Sequence, residues 1–233
     1  MSKHKNDEFI SIIGHELRTP MTSIRGYISM ILEGDMGDIT PEARKALNHC
    51  YDSSVRLINL VNDVLAISKI ESGKMEYYKR EIDITSLMKL VYNDVFLEAE
   101  HKKVNFEIEI DKNLKDKFIY IDSDKLRQVF INLINNAIKF TDIGGKVIVK
   151  ASKIKSKVKF EVIDDGIGID ESKLEIIFEK FSQIESSLQR QNTSGLGIGL
   201  ALCKSFIKDF GSKINVKSEV GKGSNFNFEI DLI

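Results

Sequence analysis

Residues 10–31 read ISIIGHELRTPMTSIRGYISMI, and the apolar positions Ile10, Ile13, Leu17, Pro20, Ile24, Tyr27 and Ile31 advance in alternating steps of three and four. That rhythm draws one stripe along a helix, as in the seam of a coiled coil, and predicts a long α-helix. No capping residue precedes the stripe, so the helix is expected to continue upstream into a linker or sensor segment. Gly34, Asp35, Gly37 and Asp38 break the pattern, and Thr40 followed by Pro41 then offers an N-cap with proline at the first helical position. The second helix repeats the rhythm at Ala46, Cys50, Ser53, Leu57, Leu60, Val64 and Ile67, while Leu47, Val55, Ile58, Val61 and Leu65 widen its apolar face. One partner helix does not cover a face that wide, and a hairpin of about 70 residues buries too little surface alone. Two hairpins closing a four-helix bundle resolve this and predict a homodimer; a monomeric hairpin packed on the rest of the chain is the alternative.

Ser72 and Gly73 end the second helix, and the texture changes there, which predicts a helical domain over residues 1–73 and a second domain over 74–233. In the second, strand patterns fall at 75–82, 104–110, 118–121, 146–152, 157–163, 213–218 and 224–232. Helical patterns fall at 85–102, 123–140, 171–178 and 199–210. This order, with tight turns near Ser156 and Gly221, predicts an α+β two-layer sandwich, a mixed or mainly antiparallel sheet covered on one face by helices. Residues 182–195 are rich in Ser, Gln, Asn and Thr and are expected to form a mobile loop.

Composition narrows the function classes. Thirty-four Lys and Arg against 35 Asp and Glu leave a formal charge of -1, so no field steers the chain to nucleic acid or to an anionic membrane. Cys50 and Cys203 stand apart without CxxC spacing and are expected to be reduced thiols, as in a cytoplasmic protein. No apolar run approaches the roughly 18 residues of a membrane helix, and residues 1–8 lack a signal-peptide core, so any membrane part is expected outside this sequence.

Four places carry residues suited to chemistry. Asn132, Asn136 and Lys139 share one face of the 123–140 helix. An Asn amide oxygen is a workable Mg2+ ligand beside phosphate oxygens and water, and the ammonium suits a phosphate; a solvated stripe is the alternative. The run Asp164-Asp165-Gly166-Ile167-Gly168 follows an apolar strand, where a carboxylate accepts a hydrogen bond from an exocyclic amine and glycines let backbone approach a ligand. The same residues also suit a plain turn. Gly195-Leu196-Gly197-Ile198-Gly199 opens an apolar helix and presents backbone N–H groups at its positive end, without the spacing of a P-loop or a Rossmann turn. His15, beside Glu16 and one turn before Thr19 and Pro20, suits a nucleophile near neutral pH with a carboxylate to take up its proton; an ordinary surface histidine is the alternative. Pro20 is expected to loosen the helix next to it. His4, His49 and His101 have no such surroundings, and no metal-ligand spacing occurs.

Taken in order, residues 9–27 (FISIIGHELRTPMTSIRGY), 126–141 (LRQVFINLINNAIKFT), 164–169 (DDGIGI), 178–181 (FEKF) and 195–200 (GLGIGL) resemble the H, N, G1, F and G2 boxes of the sensor histidine kinase family, over nearly the whole chain. The resemblance implies a dimerising phosphotransfer bundle followed by a Bergerat-type ATP-binding fold, and a kinase that phosphorylates its own histidine from Mg-ATP. A response regulator receiver domain would then take the phosphoryl group. By carry-over His15 is the phosphoacceptor, Glu16 the assisting base, Asn136 the Mg2+ ligand, Asn132 and Lys139 phosphate-side contacts, and Asp164 the adenine reader. Phe140, Gly166, Gly168, Ile169, Gly195, Leu196, Gly197, Gly199 and Leu200 line the nucleotide loops, Phe178 and Phe181 flank the start of a lid over 182–194, and residues 72–74 form the hinge. The family position of Thr19 implies that it orients water for dephosphorylating the regulator, so a phosphatase-dominant enzyme is a compatible reading. Some relatives carry an arginine early in the lid where this chain has Gln183, so Arg190 or Lys139 would have to meet the transferring phosphate. The alternative to a kinase is a degenerate dimeric scaffold that binds ATP without transferring phosphate.

Overall fold

The computed structural model describes residues 2–182 and 196–233, with backbone alone for 2–12 and 15. The chain forms two compact units, Met1–Met75 and Glu76–Ile233. The first is a hairpin of α1 (Ser2–Glu33) and α2 (Pro41–Glu71). The turn uses Gly34 and Gly37, both with positive φ, and the Arg44 guanidinium donates to the Leu32 carbonyl at 2.7 Å, closing the end of α1. Thr40 caps α2 by accepting from the Ala43 N–H at 3.2 Å, with Pro41 following it. Helix α1 runs through Pro20 without interruption.

The hairpin packs along a stripe one residue away from the one that marks the helices in the sequence. On α1 the sheltered positions are Gly14, Arg18, Met21, Arg25, Ile28 and Leu32, and on α2 they are Leu47, Tyr51, Ser54, Ile58, Val61 and Leu65. Gly14 lies against the Leu65 side chain, and Arg18 donates to the Asn62 amide oxygen through Nη2 (2.8 Å) and Nε (3.2 Å). The neighbouring stripe faces outward: Ile13, Leu17, Ile24, Tyr27 and Leu57 remain 41% to 61% exposed, and Ala46, Cys50 and Ser53 are exposed beside them. Each helix therefore has two adjacent seams, and the hairpin covers only one along most of its length; on α2 the outer seam is half-buried at Leu60 and Val64 and buried at Ile67.

In the second unit a five-stranded sheet has the order β2 (Asn105–Ile110), β4 (Lys146–Ile154), β5 (Lys157–Asp164), β7 (Gly223–Asp231), β6 (Asn215–Glu219). β2 and β4 are parallel, which requires a crossover, and the other pairings are antiparallel. A two-stranded sheet of β1 (Arg80–Asp83) and β3 (Phe118–Ile121) stands apart. Alternate residues of the central strands, Val147, Val149, Ala151, Val158, Phe160 and Val162, are fully buried under α3 (Ile84–Lys102), α4 (Ser123–Phe140) and α5 (Gly199–Asp209). Phe130 of α4 meets Phe160 edge-on at 5.2 Å and Phe228 at 5.6 Å, centring the core between helix and sheet.

Two stretches depart from the sequence pattern. Residues 171–178 form two 3-10 turns, Glu171–Lys173 and Ile176–Phe178, in place of one helix. Asp170 accepts from the Ser172 N–H at 2.9 Å and closes the first turn, and a segment this short gains too little from hydrogen bonding to repay nucleation. The strand expected at 75–82 pairs only over Arg80–Asp83, because Tyr77 and Tyr78 are held by α5 and by the start of α4.

Candidate functional site

Helix α4 is fixed at both ends. Asp122, only 4% exposed, accepts from the N–H groups of Asp124 and Lys125 and, through its other oxygen, from Tyr78 N–H at 2.9 Å. At the far end the Lys102 ammonium donates to the carbonyls of Ile138 and Lys139, where the helix dipole is negative. Between these ends Asn132, Asn136, Lys139 and Phe140 are half-buried along one side. Burial lowers the pKa of the Lys139 ammonium, whose Nζ lies 5.1 Å from the Phe140 ring centre.

The loop after β5 is seated on the C-terminal end of this helix. Ile167 N–H donates to the Phe140 carbonyl at 3.2 Å, and Gly166 lies against the same carbonyl. Asp164, 7% exposed, ends β5, and its Oδ1 accepts from Gly166 N–H (3.0 Å) and Ser224 N–H (3.2 Å). Burial pushes its carboxyl above the usual range; the two N–H donors oppose that shift and the Asp165 charge adds to it. Asp165 instead faces the start of β4, accepting from Lys146 N–H at 2.8 Å. Gly168 has φ +68, and a Cβ there would collide with the Glu219 carbonyl. Ile169 N–H donates to Ser218 Oγ at 2.8 Å. The loop is thus clamped between α4 and the β6–β7 turn, where Gly221 N–H donates to the Ile167 carbonyl.

The glycine-rich run enters from the other side. Asn132 Nδ2 lies 3.5 Å from the Gly199 carbonyl at the start of α5, so α4 and α5 meet beside the loop, with Leu200 half-buried next to it. Phe181 N–H donates to the Gly197 carbonyl at 3.1 Å, tying together the two ends of the 182–195 segment, and Leu196 is 40% exposed. Phe178 packs edge-on to Phe226 at 6.2 Å, and the Lys204 ammonium lies over its ring, 5.7 Å from the centre. Gly195, Gln183 and Arg190 lie outside the described residues, as does most of the expected lid. In the hairpin, Glu16 and Thr19 are exposed on α1, and the Thr19 carbonyl accepts from Ser23 Oγ at 3.2 Å; the His15 side chain lies outside the described residues.

Two residues at the site carried no signal of their own in the sequence. Ser224 pairs in register with Asp164 and is 8% exposed, its Oγ 3.0 Å from Ser218 Oγ. Gly223, φ +89, approaches the Asp164 carbonyl so closely that a side chain would not fit. GKGS at residues 221–224 reads as a hairpin turn, and only the pairing of β5 with β7 reveals that it backs the buried carboxylate.

One end of the sheet therefore gathers a buried carboxylate with one oxygen committed to backbone donors, glycines that leave no room for side chains, and a polar helix face carrying amides and an ammonium. These suit a nucleotide: an acceptor for an exocyclic amine, close backbone, and ligands for a charged phosphate chain.

Comparison with known proteins agrees. Residues 121–233 match the family described as histidine kinase-, DNA gyrase B-, and HSP90-like ATPase, and residues 5–73 match the His Kinase A (phospho-acceptor) domain. The circadian input-output histidine kinase CikA of Synechococcus elongatus is 35% identical over 94% of this chain, which spans 29% of that protein. Full-length ShkA, solved in complex with AMPPNP, superposes with a TM-score of 0.78 at 30% identity, over 97% of this chain and 46% of that one. The catalytic domain of the histidine kinase ThkA, also 30% identical, is covered to 96% by 67% of this chain, with a TM-score of 0.55. With a phosphoacceptor-type hairpin, an ATPase-type sheet unit and the five boxes in order, the chain belongs to the sensor histidine kinase family.

Proposed function

We propose that this chain is the cytoplasmic catalytic core of a two-component signalling kinase, which phosphorylates His15 from Mg-ATP and passes the phosphoryl group to an aspartate of a response regulator receiver domain. The observation that carries this reading is the convergence of Asp164, the α4 amide face and the glycine turns at one end of the second unit, on a chain whose first unit carries His15 in its long helix. Residues 1–73 serve dimerisation and phosphotransfer, residues 74–233 bind ATP, and the hinge lies near residues 72–74.

In this mechanism Asp164 accepts from the adenine amine through the oxygen that Gly166 and Ser224 leave open. Asn136 would supply an oxygen to Mg2+, Asn132 and Lys139 would contact the phosphates, and Phe140, Gly166, Gly168, Ile169, Gly195, Leu196, Gly197, Gly199 and Leu200 would shape the cradle. When bound, the metal would neutralise phosphate charge, held by the nucleotide and water as well as by the Asn136 amide oxygen. The imidazole of His15 attacks the terminal phosphorus as the bridging oxygen leaves with ADP, and Glu16 takes up the proton of the other ring nitrogen. Incubation with radiolabelled ATP tests the reading directly, since a degenerate ATP-binding scaffold would bind nucleotide and acquire no label.

The uncovered seam on the hairpin supports a homodimer, because Ile24 and Tyr27 remain 48% and 61% exposed in one chain. Ile24→Glu should convert dimer to monomer in sedimentation experiments. Two-fold symmetry counts the change twice, and full burial of each isoleucine is worth about 1.5–3 kcal/mol, so dimer affinity should fall more than about a hundredfold. An unchanged sedimentation coefficient would place the interface elsewhere.

Thr19 lies one helical turn after His15 and is exposed, which suits a hydroxyl that holds water against a docked phosphoaspartate. Thr19→Ala should keep His15 labelling within a few-fold while slowing loss of label from a cognate regulator about tenfold, equal to about 1.4 kcal/mol of barrier. Equal loss of both activities would indicate a damaged bundle, and unchanged dephosphorylation would leave Thr19 without this role.

A further inference from the structure

The start of the second unit is held by two independent contacts. Tyr77 Oη donates to Asp209 Oδ2 at 2.6 Å, and its ring meets Phe206 (6.4 Å) and Phe210 (5.5 Å) edge-on, so the side chain is anchored on the C-terminal end of α5. Tyr78 N–H donates to the buried Asp122 carboxylate that also caps α4. Burial and the Asp209 carboxylate raise the Tyr77 phenol above its ordinary pKa, so it remains a donor at any physiological pH. Helix α5 begins at Gly199, beside Asn132, and α4 carries Asn132 and Asn136; residues 77 and 78 are therefore bound to the two helices that frame the candidate nucleotide site.

We infer that Tyr77 is a positioning residue for autophosphorylation: it fastens the inter-unit tether to α5 and so limits the free chain between the units to Met75 and Glu76, because the N–H groups of Ser72, Gly73 and Lys74 are bonded to carbonyls of the last turn of α2. The inference rests on the kinase reading above. Two residues reach at most about 7 Å when extended. Without the anchor only the single Tyr78 N–H bond to Asp122 holds the chain ahead of Arg80, where β1 begins, and each time that bond opens three further residues add about 10 Å of slack. A longer tether dilutes the ATP-binding unit around its acceptor and widens its range of orientations, which lowers the frequency of productive encounters and leaves nucleotide binding untouched. None of the contacts involves a group assigned to ATP or to His15.

The test uses the whole chain. Tyr77→Ala should lower the single-turnover rate of His15 labelling at saturating ATP about tenfold, with ATP affinity by calorimetry within twofold of wild type. Tyr77→Phe, which keeps the ring contacts and loses the hydroxyl, should fall between the two, and Asp209→Asn, whose amide oxygen still accepts, should stay near wild type. Brief trypsin treatment read by mass spectrometry gives a measure independent of catalysis: wild type should be cut after Lys74 in the tether, and Tyr77→Ala should gain a cut after Lys79. A labelling rate unchanged in Tyr77→Ala, a parallel fall in ATP affinity, or identical tryptic fragments from the two proteins would each overturn the proposal. Absence of label on wild type would instead overturn the kinase reading, with the fragments still deciding whether Tyr77 holds the tether.

Discussion

His15→Ala, and equally His15→Gln, should reduce autophosphorylation to background while ATP affinity stays within about twofold of wild type. His15, the proposed acceptor, is in the hairpin, and Asp164, the α4 amides and the glycine turns are all in the second unit, so on this reading losing the imidazole removes the nucleophile without touching the proposed nucleotide cradle. The helix is not at risk, because alanine and glutamine are both strong helix formers and the neighbouring inward positions, Gly14 and Arg18, are unchanged. Label on the wild-type protein should be lost in acid and retained in alkali, as expected of a phosphorus–nitrogen bond. Label that persists on the variants, or wild-type label that survives acid, would exclude His15 as the acceptor.

How much of this was legible in sequence depended on how local the cause was. Helix α4 was readable to the residue at both ends because its signal is local, a run of helix-compatible residues with apolar positions at helical spacing from Ser123 to Phe140; its Asp122 cap came only from the structure. The hairpin was readable for the same reason, including the Thr40 cap. Its packing was not: each helix has two apolar stripes one residue apart, and the stripe that dominates the sequence faces outward, while the inner one includes Gly14, Arg18, Arg25 and Ser54, which sequence patterning counts as polar or neutral. Spacing alone does not decide which stripe meets which partner. At the candidate site, Asp164 and its glycines announced themselves as a motif, but Ser224 and Gly223 are linked to Asp164 only through the register of β5 with β7, some sixty residues apart in the chain. The fate of residues 75–79 was equally non-local, since Tyr77 is held by Asp209 and Tyr78 by Asp122. Propensity read these residues as strand, and tertiary contacts overrode it.

Asn136→Ala and Asp164→Asn should each weaken ATP binding roughly ten- to a hundredfold, since a hydrogen bond or ligand contact to a charged group is worth about 1.5–3 kcal/mol. They should do so differently. Asn136→Ala should remove the Mg2+-dependent part of the affinity, leaving the metal-free value near that of wild type. Asp164→Asn should lower affinity with or without the metal, because the amide directs a donor at the adenine amine in place of an acceptor. The raised pKa of Asp164 separates this loss from unfolding. A carboxyl whose folded pKa lies above its unfolded value contributes stability below the unfolded pKa, and that contribution is lost as pH rises through the folded pKa. At neutral pH the ionised Asp164 is therefore a net cost to the fold. The asparagine removes that cost, and its carbonyl oxygen can still accept from Gly166 and Ser224, so Asp164→Asn should melt no lower than wild type at pH 7. In wild type, ATP affinity should begin to fall at a higher pH on acidification than an ordinary aspartate would give, as the adenine acceptor becomes protonated. A lowered melting temperature would mark Asp164 as a structural residue, and wild-type ATP affinity in both variants by calorimetry would place the nucleotide elsewhere on the molecule.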